Sequence, residues 1–597
     1  MLNSRVARLF PSALHHVATA IRGSRPLVAL VTLTAATFGL SAFEVTTSGA
    51  SASWGPASEI PGTASLNVGG DALLFQVSCS SVGNCGSVGT YTDSSGHTQA
   101  FVANESNGVW GNAMEIPGWA ALNVGGKAGT LFSIACTAPG SCGVGGSYTD
   151  GSNDVQAFVD SETNGTWASA IEVPGTAALN VGAKAAQVTA ISCNAPGNCS
   201  VGGSYTDSSQ NAQAFVASQV NGTWGNAIAV PGVGAIVVGG SATILSLSCP
   251  SSGNCGAEGL YKDPAAFIQT FVVSEVGGTW GNALDVPGLK NLNVDGLAGA
   301  NQIACSSNGN CGLAGLYTDG SKNIQAFVAS QVNGTWGNAV EVPGTAALNA
   351  GGTAATAAIS CPSDGGCSAG GAYTDATGTT QAFVVNESNG VWGTALEIPG
   401  TASLNTGGQA AVTSLSCVSV GNCSAGGAYA PSASTFQAFV TTEVAGTWSN
   451  AIEVPGSGTL NQGGSASVYS ISCTTDGSCA VAGQYTDSSN NFQTFVTSSV
   501  AAQIDKKSPP GAPSIKVSSP LKGDVSIALL GVATNGEPIS RFQYSLNNGP
   551  WVNAREGASK SFLVGHLSSG KIYHVRLRAW NVSGPGVASR VVTLKVK

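Results

Sequence analysis

The chain of 597 residues is about four times longer than a ~150-residue domain, so it holds several domains or one large repeat array. Charged residues make up 9% of the sequence, against ~25% in ordinary soluble domains, and the 82 glycines are about twice the usual share. The 43% of apolar residues excludes long disordered regions, and the net charge of −9 excludes general nucleic-acid binding, which needs a basic surface.

The N-terminus contains the three parts of a secretory signal peptide, which predicts export. Residues 1–25 include four arginines and no acid, and an apolar run of 17 residues extends from Leu27 to Phe43. Small residues then lead to an Ala-x-Ala site that ends at Ala52, so the mature chain is expected to begin at Ser53. An uncleaved anchor is the alternative, because the apolar run is at the short limit for a membrane span.

Residues 53–505 consist of one unit that is repeated eight times. Each unit contains two cysteines six positions apart, and the first cysteines of successive units are separated by 57 residues twice and by 56 residues thereafter. The pairs are Cys79 and Cys85, Cys136 and Cys142, Cys193 and Cys199, Cys249 and Cys255, Cys305 and Cys311, Cys361 and Cys367, Cys417 and Cys423, and Cys473 and Cys479.

Each unit contains four short runs of β-branched or aromatic residues between clusters of Gly, Asn, Asp and Ser, which predict strands a to d and their turns. Strand a ends at the first cysteine, and strand b runs from the second cysteine to a Tyr-Thr-Asp signature. Strand c carries Gln-Ala-Phe-Val, and strand d follows a Trp and ends at Pro-Gly. Four antiparallel strands per ~50-residue unit predict a β-propeller blade, as in WD40 and kelch arrays.

The strand count predicts that the propeller is a closed ring of eight blades. The Trp at the start of strand d occurs eight times, and the first, Trp54, has no strands a to c before it. The eighth unit, which begins at Cys473, has no Trp and no Pro-Gly after its strand c. We therefore expect residues 54–62 to supply strand d of the last blade, because an open array would leave two unpaired edges.

The 16 cysteines are predicted to form eight disulfides, one within each unit. The two cysteines of a unit face each other across a tight turn and can reach the ~5.5 Å Cα separation that a disulfide needs. An exported chain favours the oxidised state. A metal site is the alternative, but each turn offers two thiols and this part of the chain contains one histidine, His97. No metal and no cofactor is predicted.

The Tyr-Thr-Asp signature places an aspartate at the same point of most units and resembles the Asp box of sialidase-like propellers. It ends at Asp93, Asp150, Asp207, Asp319, Asp375 and Asp487, and Asp263 fills the same place in a diverged unit. The resemblance implies a structural turn in which the carboxylate accepts backbone N–H bonds. A calcium loop is the alternative, although one carboxylate per loop supplies few oxygens. Sialidases bind their substrate through arginines, and none lies between residues 54 and 505, so sialidase activity is not implied.

Nearly every polar position is repeated around the ring, whereas a catalytic constellation breaks such symmetry, so no catalytic residue is predicted. Two of the features that occur once are His97 and Trp119. Trp119 replaces the Thr that usually follows Pro-Gly, and we expect it to be exposed. His97 and Trp119 are therefore the candidate ligand contacts. The repeated Trp at strand d is expected to pack within the blade, and the Asn-Gly that precedes it in five units predicts a type I′ hairpin.

The C-terminal segment begins with a Pro-rich linker, residues 506–512, and residues 513–597 resemble a fibronectin type III domain. The resemblance rests on Leu567, Gly570 and Tyr573 at spacings of three, followed by apolar residues at alternate positions. This set matches a tyrosine corner, which implies a β-sandwich in which the tyrosine hydroxyl bonds back to the preceding chain.

The two parts of the chain carry opposite charge. Residues 54–505 contain 27 acidic and five basic residues, a net of −22, whereas residues 506–597 contain three acidic and 13 basic residues, a net of +10. A role in solubility alone is one interpretation. Opposite charges in adjoining modules also indicate separate partners. We expect the basic module to contact anionic envelope polymers, such as teichoic or lipoglycan phosphates, through Lys571, Arg576, Arg578 and Arg590.

As a whole, the sequence resembles exported, Cys-paired repeat proteins of high-GC Gram-positive bacteria, which implies a secreted or cell-surface location. The leading hypothesis is a monomeric, non-enzymatic binding or adhesion protein with no membrane span in the mature chain. The propeller would bind an extracellular glycan, an envelope polymer or a protein, and the fibronectin type III module would act as a spacer or envelope contact. The alternatives are a glycan-active hydrolase or lyase, which needs two carboxylates about 5 to 9.5 Å apart, and a structural envelope protein.

Overall fold

The computed structural model describes residues 53–125, 129–182, 185–237, 240–265, 267–294, 296–500, 511–532, 539, 541–554, 561–581 and 584–597. They form an all-β protein with two compact units, one containing the described residues up to 500 and the other those from 511 onward. The predicted signal segment and most of the predicted linker lie outside the described residues. Within the described ranges, no helix has the length and apolar character of a membrane span.

The first of the two compact units, which contains all eight repeats, has eight antiparallel sheets of five strands each. In every sheet, three strands of eight to eleven residues lie side by side, and two strands of two residues both pair with the third long strand. The predicted outer strand d is thus divided into two short strands.

The strands and helices follow one another in the same order in every repeat. The N-terminal segment contains β1 (Ser53–Trp54), β2 (Ser58–Glu59) and α1 (Thr63–Leu66). Repeat 1 contains β3 (Leu73–Ser81), β4 (Asn84–Thr92), β5 (Thr98–Ser106), β6 (Val109–Trp110), β7 (Met114–Glu115) and α2 (Trp119–Leu122). Repeat 2 contains β8 (Thr130–Ala138), β9 (Ser141–Thr149), β10 (Val155–Thr163), β11 (Thr166–Trp167), β12 (Ile171–Glu172) and α3 (Thr176–Leu179). Repeat 3 contains β13 (Gln187–Ala195), β14 (Asn198–Thr206), β15 (Ala212–Val220), β16 (Thr223–Trp224), β17 (Ile228–Ala229) and α4 (Val233–Ile236). Repeat 4 contains β18 (Ala242–Ser251), β19 (Asn254–Lys262), β20 (Ile268–Val276), β21 (Thr279–Trp280), β22 (Leu284–Asp285) and α5 (Leu289–Leu292).

The second half of the array repeats this order. Repeat 5 contains β23 (Ala298–Cys305), β24 (Cys311–Thr318), β25 (Ile324–Val332), β26 (Thr335–Trp336), β27 (Val340–Glu341) and α6 (Thr345–Leu348). Repeat 6 contains β28 (Ala354–Ser363), β29 (Gly366–Thr374), β30 (Thr380–Ser388), β31 (Val391–Trp392), β32 (Leu396–Glu397) and α7 (Thr401–Leu404). Repeat 7 contains β33 (Ala410–Ser419), β34 (Asn422–Ser432), β35 (Thr435–Val444), β36 (Thr447–Trp448), β37 (Ile452–Glu453) and α8 (Ser457–Leu460). Repeat 8 contains β38 (Ala466–Cys473), β39 (Cys479–Thr486) and β40 (Phe492–Val500).

A helix of four residues follows each Pro-Gly that comes directly after an outer short strand, although no sequence pattern predicted it. The glycine precedes the helix with φ between 75 and 89°, in the left-handed region that favours glycine. A single helical turn is too short for a 3.6-residue apolar period, so this element leaves no periodic signal in the sequence.

The predicted pairing of the chain's N-terminal segment with the last repeat is confirmed. Both β1 and β2 pair antiparallel with β40, and Trp54 lies opposite Ser499 while Glu59 lies opposite Phe495. The Tyr485 hydroxyl of repeat 8 donates to Glu59 over 3.3 Å, as the matching tyrosine of other repeats does to an acid of its own repeat. The N-terminal segment therefore completes the eighth sheet.

The same backbone hydrogen bond recurs between every two neighbouring repeats. The alanine between the two short strands donates its N–H to the proline carbonyl just before the helix of the preceding repeat, over 2.6 to 2.9 Å. The donor and acceptor pairs are Ala113 and Pro61, Ala170 and Pro117, Ala227 and Pro174, Ala283 and Pro231, Ala339 and Pro287, Ala395 and Pro343, Ala451 and Pro399, and Ala57 and Pro455. This bond accounts for the divided outer strand, because the alanine N–H between its halves points to the neighbouring repeat.

Apolar cores lie between neighbouring sheets. The cluster that contains Leu74 and Phe101 of repeat 1 also contains Val496 of repeat 8 and Ile60 of the N-terminal segment. One phenylalanine of the third long strand is fully buried in every repeat: Phe101, Phe158, Phe215, Phe271, Phe327, Phe383, Phe439 and Phe495. Burial of a side chain of this size contributes about 1.5–3 kcal/mol, so the repeats stabilise one another mainly through these shared cores.

All eight predicted disulfides are present, and no cysteine is free. The Cα atoms of each pair are 3.9 to 4.1 Å apart, closer than the predicted ~5.5 Å. This separation is nearer to the ~4.5 Å of a non-hydrogen-bonded antiparallel pair.

Non-reducing peptide mapping is expected to recover Cys79 linked to Cys85, and the equivalent link in every other repeat. In the chain-entropy model a bridge across so short a loop stabilises by about 2 kcal/mol. The variant Cys79→Ser/Cys85→Ser should therefore lower the free energy of unfolding in urea by about that amount. The same exchange at Cys361 and Cys367 serves as a replicate in a distant repeat. Links between repeats, or reactive thiols in the native protein, would contradict the pairing.

The second unit consists of two facing sheets. Its strands are β41 (Ser514–Ser518), β42 (Val525–Gly531), β43 (Arg541–Leu546), β44 (Val552–Asn553), β45 (Ser561–Val564), β46 (Ile572–Asn581), β47 (Gly584–Pro585) and β48 (Val592–Lys595). One sheet has the order β41-β42-β45, and the other has the order β44-β43-β46-β47 with β48 paired to β46. The core between them includes Ile527, Phe562 and Leu577. The predicted tyrosine bond is present, since the Ser568 N–H donates to the Tyr573 hydroxyl over 3.1 Å.

Candidate functional site

The repeated aspartates close turns, as predicted. The Asp93 Oδ1 accepts the N–H groups of Ser95 and His97 over 2.8 and 2.9 Å, and its Oδ2 accepts Gln99 Nε2 over 2.9 Å. The same three bonds recur at Asp150, Asp207, Asp263, Asp319 and Asp487. Slight burial would raise the pKa of Asp93, but these bonds outweigh it and hold the pKa below its ordinary value. Both oxygens are used inside the turn, which supports the structural interpretation.

His97 lies on this turn, and its side chain is 44% exposed. Its Nδ1 is 3.6 Å from Asp93 Oδ2, within the same turn. In the described part of the chain, no group of three His, Cys, Asp or Glu side chains could hold a metal ion. The structure therefore places His97 beside a carboxylate that the turn already uses.

Trp119 is buried, so the prediction of an exposed ligand contact is wrong. Only 1% of the residue is exposed, its Nε1 donates to Gln99 Oε1 over 2.9 Å, and its ring packs edge-on against Phe158 at 4.9 Å. Gly129 makes room for it, because a Cβ at that position would lie 1.9 Å from Trp119 Cζ2. The other seven repeats have alanine there, so Trp119 and Gly129 form a compensating pair between repeats 1 and 2.

The predicted hairpins before the repeated tryptophan are confirmed. Asn107 and Gly108 have φ values of 51 and 80°, both positive as a type I′ turn requires, and the other four Asn-Gly pairs are similar. All eight of the repeated tryptophans, from Trp54 to Trp448, are buried or half-buried, in agreement with a packing role.

The first strands of all eight repeats surround a cavity of about 510 Å³. Each of these strands has a β-bulge four residues before its first cysteine. The eight bulged residues all line the cavity: Phe75, Phe132, Thr189, Leu245, Asn301, Ala357, Thr413 and Tyr469. We call these eight residues the bulge ring. A bulge re-aims a side chain relative to a regular strand, which explains why this position faces the cavity.

Side-chain acceptors connect the first strands around the cavity. The N–H of Val77 donates to Ser470 Oγ over 3.1 Å, and the N–H of Cys79 donates to Ser472 Oγ over 2.9 Å. In other repeats, the N–H two residues before the first cysteine donates to a side chain of the preceding repeat, and the acceptors are Gln76, Ser133, Ser246, Gln302 and Ser414. The N–H of the first cysteine does the same, and its acceptors are Ser78, Ser192, Ser248, Ser360 and Ser416. Every pair of neighbouring repeats has at least one such bond, including repeats 8 and 1.

The bulge ring differs from repeat to repeat, whereas the position two residues further on is a Val, Ile or Leu in all eight. Its three aromatic residues, Tyr469, Phe75 and Phe132, belong to the consecutive repeats 8, 1 and 2. The rings of Phe75 and Phe132 are 6.1 Å apart. Asn301 and Thr413 are polar members contributed by other repeats, and all the described residues on the cavity wall are uncharged.

Sequence reasoning missed the bulge ring. A repeat-by-repeat comparison of the position four residues before the first cysteine would have found it, because that position varies between otherwise matching segments.

A second candidate surface lies on the five-stranded sheet of the C-terminal unit. The Arg578 guanidinium is 4.4 Å from the ring centre of Trp551 and 5.6 Å from that of Trp580, and Arg541 is 4.1 Å from Trp580. Gln543 Oε1 accepts bonds from Arg578 Nε and Trp580 Nε1 over 2.9 and 2.7 Å. We call Arg541, Gln543, Trp551, Arg578 and Trp580 the Arg–Trp cluster.

Of the predicted envelope contacts, Arg576 and Arg578 share one strand with Trp580 at alternate positions, and Lys571 and Arg590 are exposed. Arg576 donates to Asn548 Oδ1. Trp551 and Arg541 were not predicted, and only the pairing of β43 with β46 brings Arg541 opposite Trp580. The alternation of Arg, Arg and Trp along β46 is the sequence signal for part of the cluster.

No family model and no curated protein matches this chain. Solved structures that resemble parts of it include one titled "Myokine structure", at 20% identity over 15% of this chain and 98% of that chain, with a TM-score of 0.13. A human FNIII domain shares 18% identity over 15% of this chain and 79% of that chain, also with a TM-score of 0.13. The Hadza microbial sialidase Hz136 shares 12% identity over 57% of this chain and 72% of that chain, with a TM-score of 0.31. With TM-scores of 0.13 and 0.31, these solved structures do not define the fold or the function of this chain.

Proposed function

We propose that the protein is a secreted or cell-surface, non-enzymatic binding protein with two binding parts. The eight sheets are the blades of a closed propeller that serves as the recognition surface, and the C-terminal unit is a fibronectin type III module that contacts an anionic polymer. The hydrogen bonds that continue from repeat 8 to repeat 1 support the closed propeller. The eight disulfides support an oxidising, extracellular environment.

The Arg–Trp cluster is the observation that carries this proposal. Guanidinium groups bind phosphate and carboxylate oxygens through two parallel N–H bonds, and stacking on aromatic rings holds their planes in place. Arg541 and Arg578 are stacked in this way, and Gln543 fixes the orientation of Arg578. Together with the net charge of +10 of residues 506–597, this geometry favours a polymer with regularly spaced anionic groups.

Binding to immobilised poly(glycerol phosphate) tests the proposal with the full-length protein. The variant Arg541→Gln/Arg578→Gln is expected to bind at least about tenfold more weakly, since each charge-assisted bond to an anion contributes about 1.5–3 kcal/mol. Wild-type binding should also weaken steeply with salt, because exposed charges are screened over ~8 Å at physiological ionic strength.

The variant Lys516→Gln/Lys522→Gln is the matched control, since it removes two exposed charges at and beside the other sheet. Equal loss in both variants would indicate attraction by net charge alone and would contradict a role for the cluster. Binding that is indifferent to salt would also reject the proposal.

A further inference from the structure

We propose that the central cavity binds a neutral saccharide, with Tyr469, Phe75 and Phe132 of the bulge ring as its stacking surface. This inference rests on the closed propeller of the proposed function and names the ligand class of its recognition surface. It is independent of the polymer contact of the C-terminal unit.

The variability of the bulge ring is the first step of the argument. A position that the fold requires is the same in all repeats, as the buried phenylalanine of the third long strand illustrates. The bulged position instead contains Phe, Thr, Leu, Asn, Ala or Tyr. Since the backbone bulge persists with each of these side chains, the fold does not dictate the residue type, and a ligand in the cavity can.

The arrangement of the aromatic residues is the second step. Three of the eight members are aromatic, and they occupy consecutive repeats instead of being scattered. The bond from Val77 to Ser470 places the strand of Tyr469 beside that of Phe75, and the bond from Ile134 to Gln76 places the strand of Phe132 on the other side. All three side chains are partly exposed to the cavity. The three aromatic side chains therefore line adjacent strands of the cavity wall.

The polar members of the bulge ring can form hydrogen bonds with the hydroxyl groups of a sugar. The Asn301 Nδ2 donates to the Thr356 carbonyl, and Thr413 Oγ1 donates to the Val468 carbonyl over 2.6 Å. These bonds orient the Asn301 amide and the Thr413 hydroxyl, whose oxygens still have lone pairs to accept hydrogen bonds from a ligand.

The chemistry of the wall selects the ligand class. A pyranose ring has an apolar C–H face that stacks on aromatic side chains and a rim of hydroxyl donors that suits amide and hydroxyl acceptors. A charged ligand would lose its hydration without an opposite charge on the described wall, which is costly. The cavity of about 510 Å³ lies within the ~300–1,000 Å³ range of small-molecule sites.

Isothermal titration calorimetry of the full-length protein tests the inference. The probes are maltohexaose, cellohexaose and mannohexaose, with oligogalacturonate as the anionic comparison. We expect binding of at least one neutral probe, and at least about tenfold weaker binding in Phe75→Thr/Phe132→Thr. Threonine already occupies the bulged position in repeats 3 and 7, so this variant should keep its melting temperature.

Two further variants make the outcome specific to the cavity. Ala357→Trp adds a bulky side chain to the wall and should also abolish binding, whereas Val109→Thr/Val391→Thr changes two valines that are 71% and 69% exposed elsewhere and should not. The absence of binding to all three neutral probes, unchanged affinity in both cavity variants, or preferred binding of oligogalacturonate would overturn the inference. Arg541→Gln/Arg578→Gln should leave saccharide affinity unchanged, so failure of the polymer contact and failure of the cavity site are distinguishable.

Discussion

A chain that lacks residues 53–62 is expected to melt at a much lower temperature than the full repeat array and to aggregate. The deletion removes β1 and β2 and exposes the edge of β40. It also removes Trp54, which is 8% exposed, and Ile60, which is fully buried, and burial of each such side chain contributes about 1.5–3 kcal/mol. An unpaired strand edge is a template for pairing with another chain.

Further contacts are lost with this segment, so the effect should exceed that of any single substitution. The Thr497 hydroxyl donates to the Gly55 carbonyl over 2.6 Å, and Ala57 and Pro61 make the hydrogen bonds to repeats 7 and 1. Differential scanning calorimetry and size-exclusion chromatography measure the outcome. A truncated chain that stays monomeric with unchanged melting would show that the segment does not hold the array together.

A pair of point variants separates the contribution of burial from that of chain length. Ile60→Ala is expected to lower the free energy of unfolding by about 2–5 kcal/mol, as for other buried aliphatic residues. Val68→Ala, at a residue that is 67% exposed, should change it by less than about 0.5 kcal/mol. Similar effects of the two variants in urea denaturation would contradict the buried position of Ile60.

Asp160→Thr is expected to stabilise the protein much more at pH 8 than at pH 4. Burial is the main cause that raises the pKa of Asp160 to about 7, and Glu162 raises it further, while the bond from the Ser161 N–H opposes the shift. Asp160 is 3% exposed, and its Oδ2 has no hydrogen-bond partner among the described residues.

The direction of this effect follows from the two protonation states. Below the unfolded pKa of ~3.9 the carboxyl is neutral in both states, so it adds no ionisation penalty to folding. Between that pH and about 7, the carboxyl is ionised in the unfolded state but still protonated in the folded state, so folding must take up a proton. The free energy of unfolding therefore falls as the pH rises through this range. One pKa unit corresponds to about 1.4 kcal/mol, so a shift of about three units gives a penalty of about 4 kcal/mol at pH 8.

The choice of threonine comes from other repeats. At the same repeat position, Thr441 and Thr497 donate to the carbonyls of Ser449 and Gly55 over 2.7 and 2.6 Å, so the new hydroxyl should find an equivalent acceptor. Val109→Thr, which introduces threonine at an uncharged residue that is 71% exposed, is the control and should give the same stability difference at both pH values. A stability difference between Asp160→Thr and wild type that is equal at both pH values would reject the assignment.

The features that the sequence predicted correctly depend on short or regular spacings. Cysteines six residues apart must meet across a hairpin, and an aspartate two to six residues from its donors closes its own turn. The count of tryptophans placed the N-terminal segment in the last sheet, because each strand edge in a repeat array needs a partner. These inferences required only the repeat and local stereochemistry.

The burial of Trp119 was decided by a residue ten positions away. In isolation, a tryptophan in place of threonine after Pro-Gly suggested an exposed contact. Its ring instead fills the space left by Gly129 and packs on Phe158 of the next repeat. Burial depends on the volume available between two sheets, and a single position in the sequence does not reveal it.

The two candidate binding surfaces show what only the tertiary structure decided. Phe75 and Phe132 are 57 positions apart, and Tyr469 is 394 positions from Phe75, yet the bulges of three consecutive repeats bring them to one cavity. Arg541 and Trp580 likewise meet because β43 and β46 are paired. The sequence determined the repeat, its disulfides and its turns through local geometry. The tertiary structure determined which side chains share a wall, because that depends on how separate strands are placed side by side.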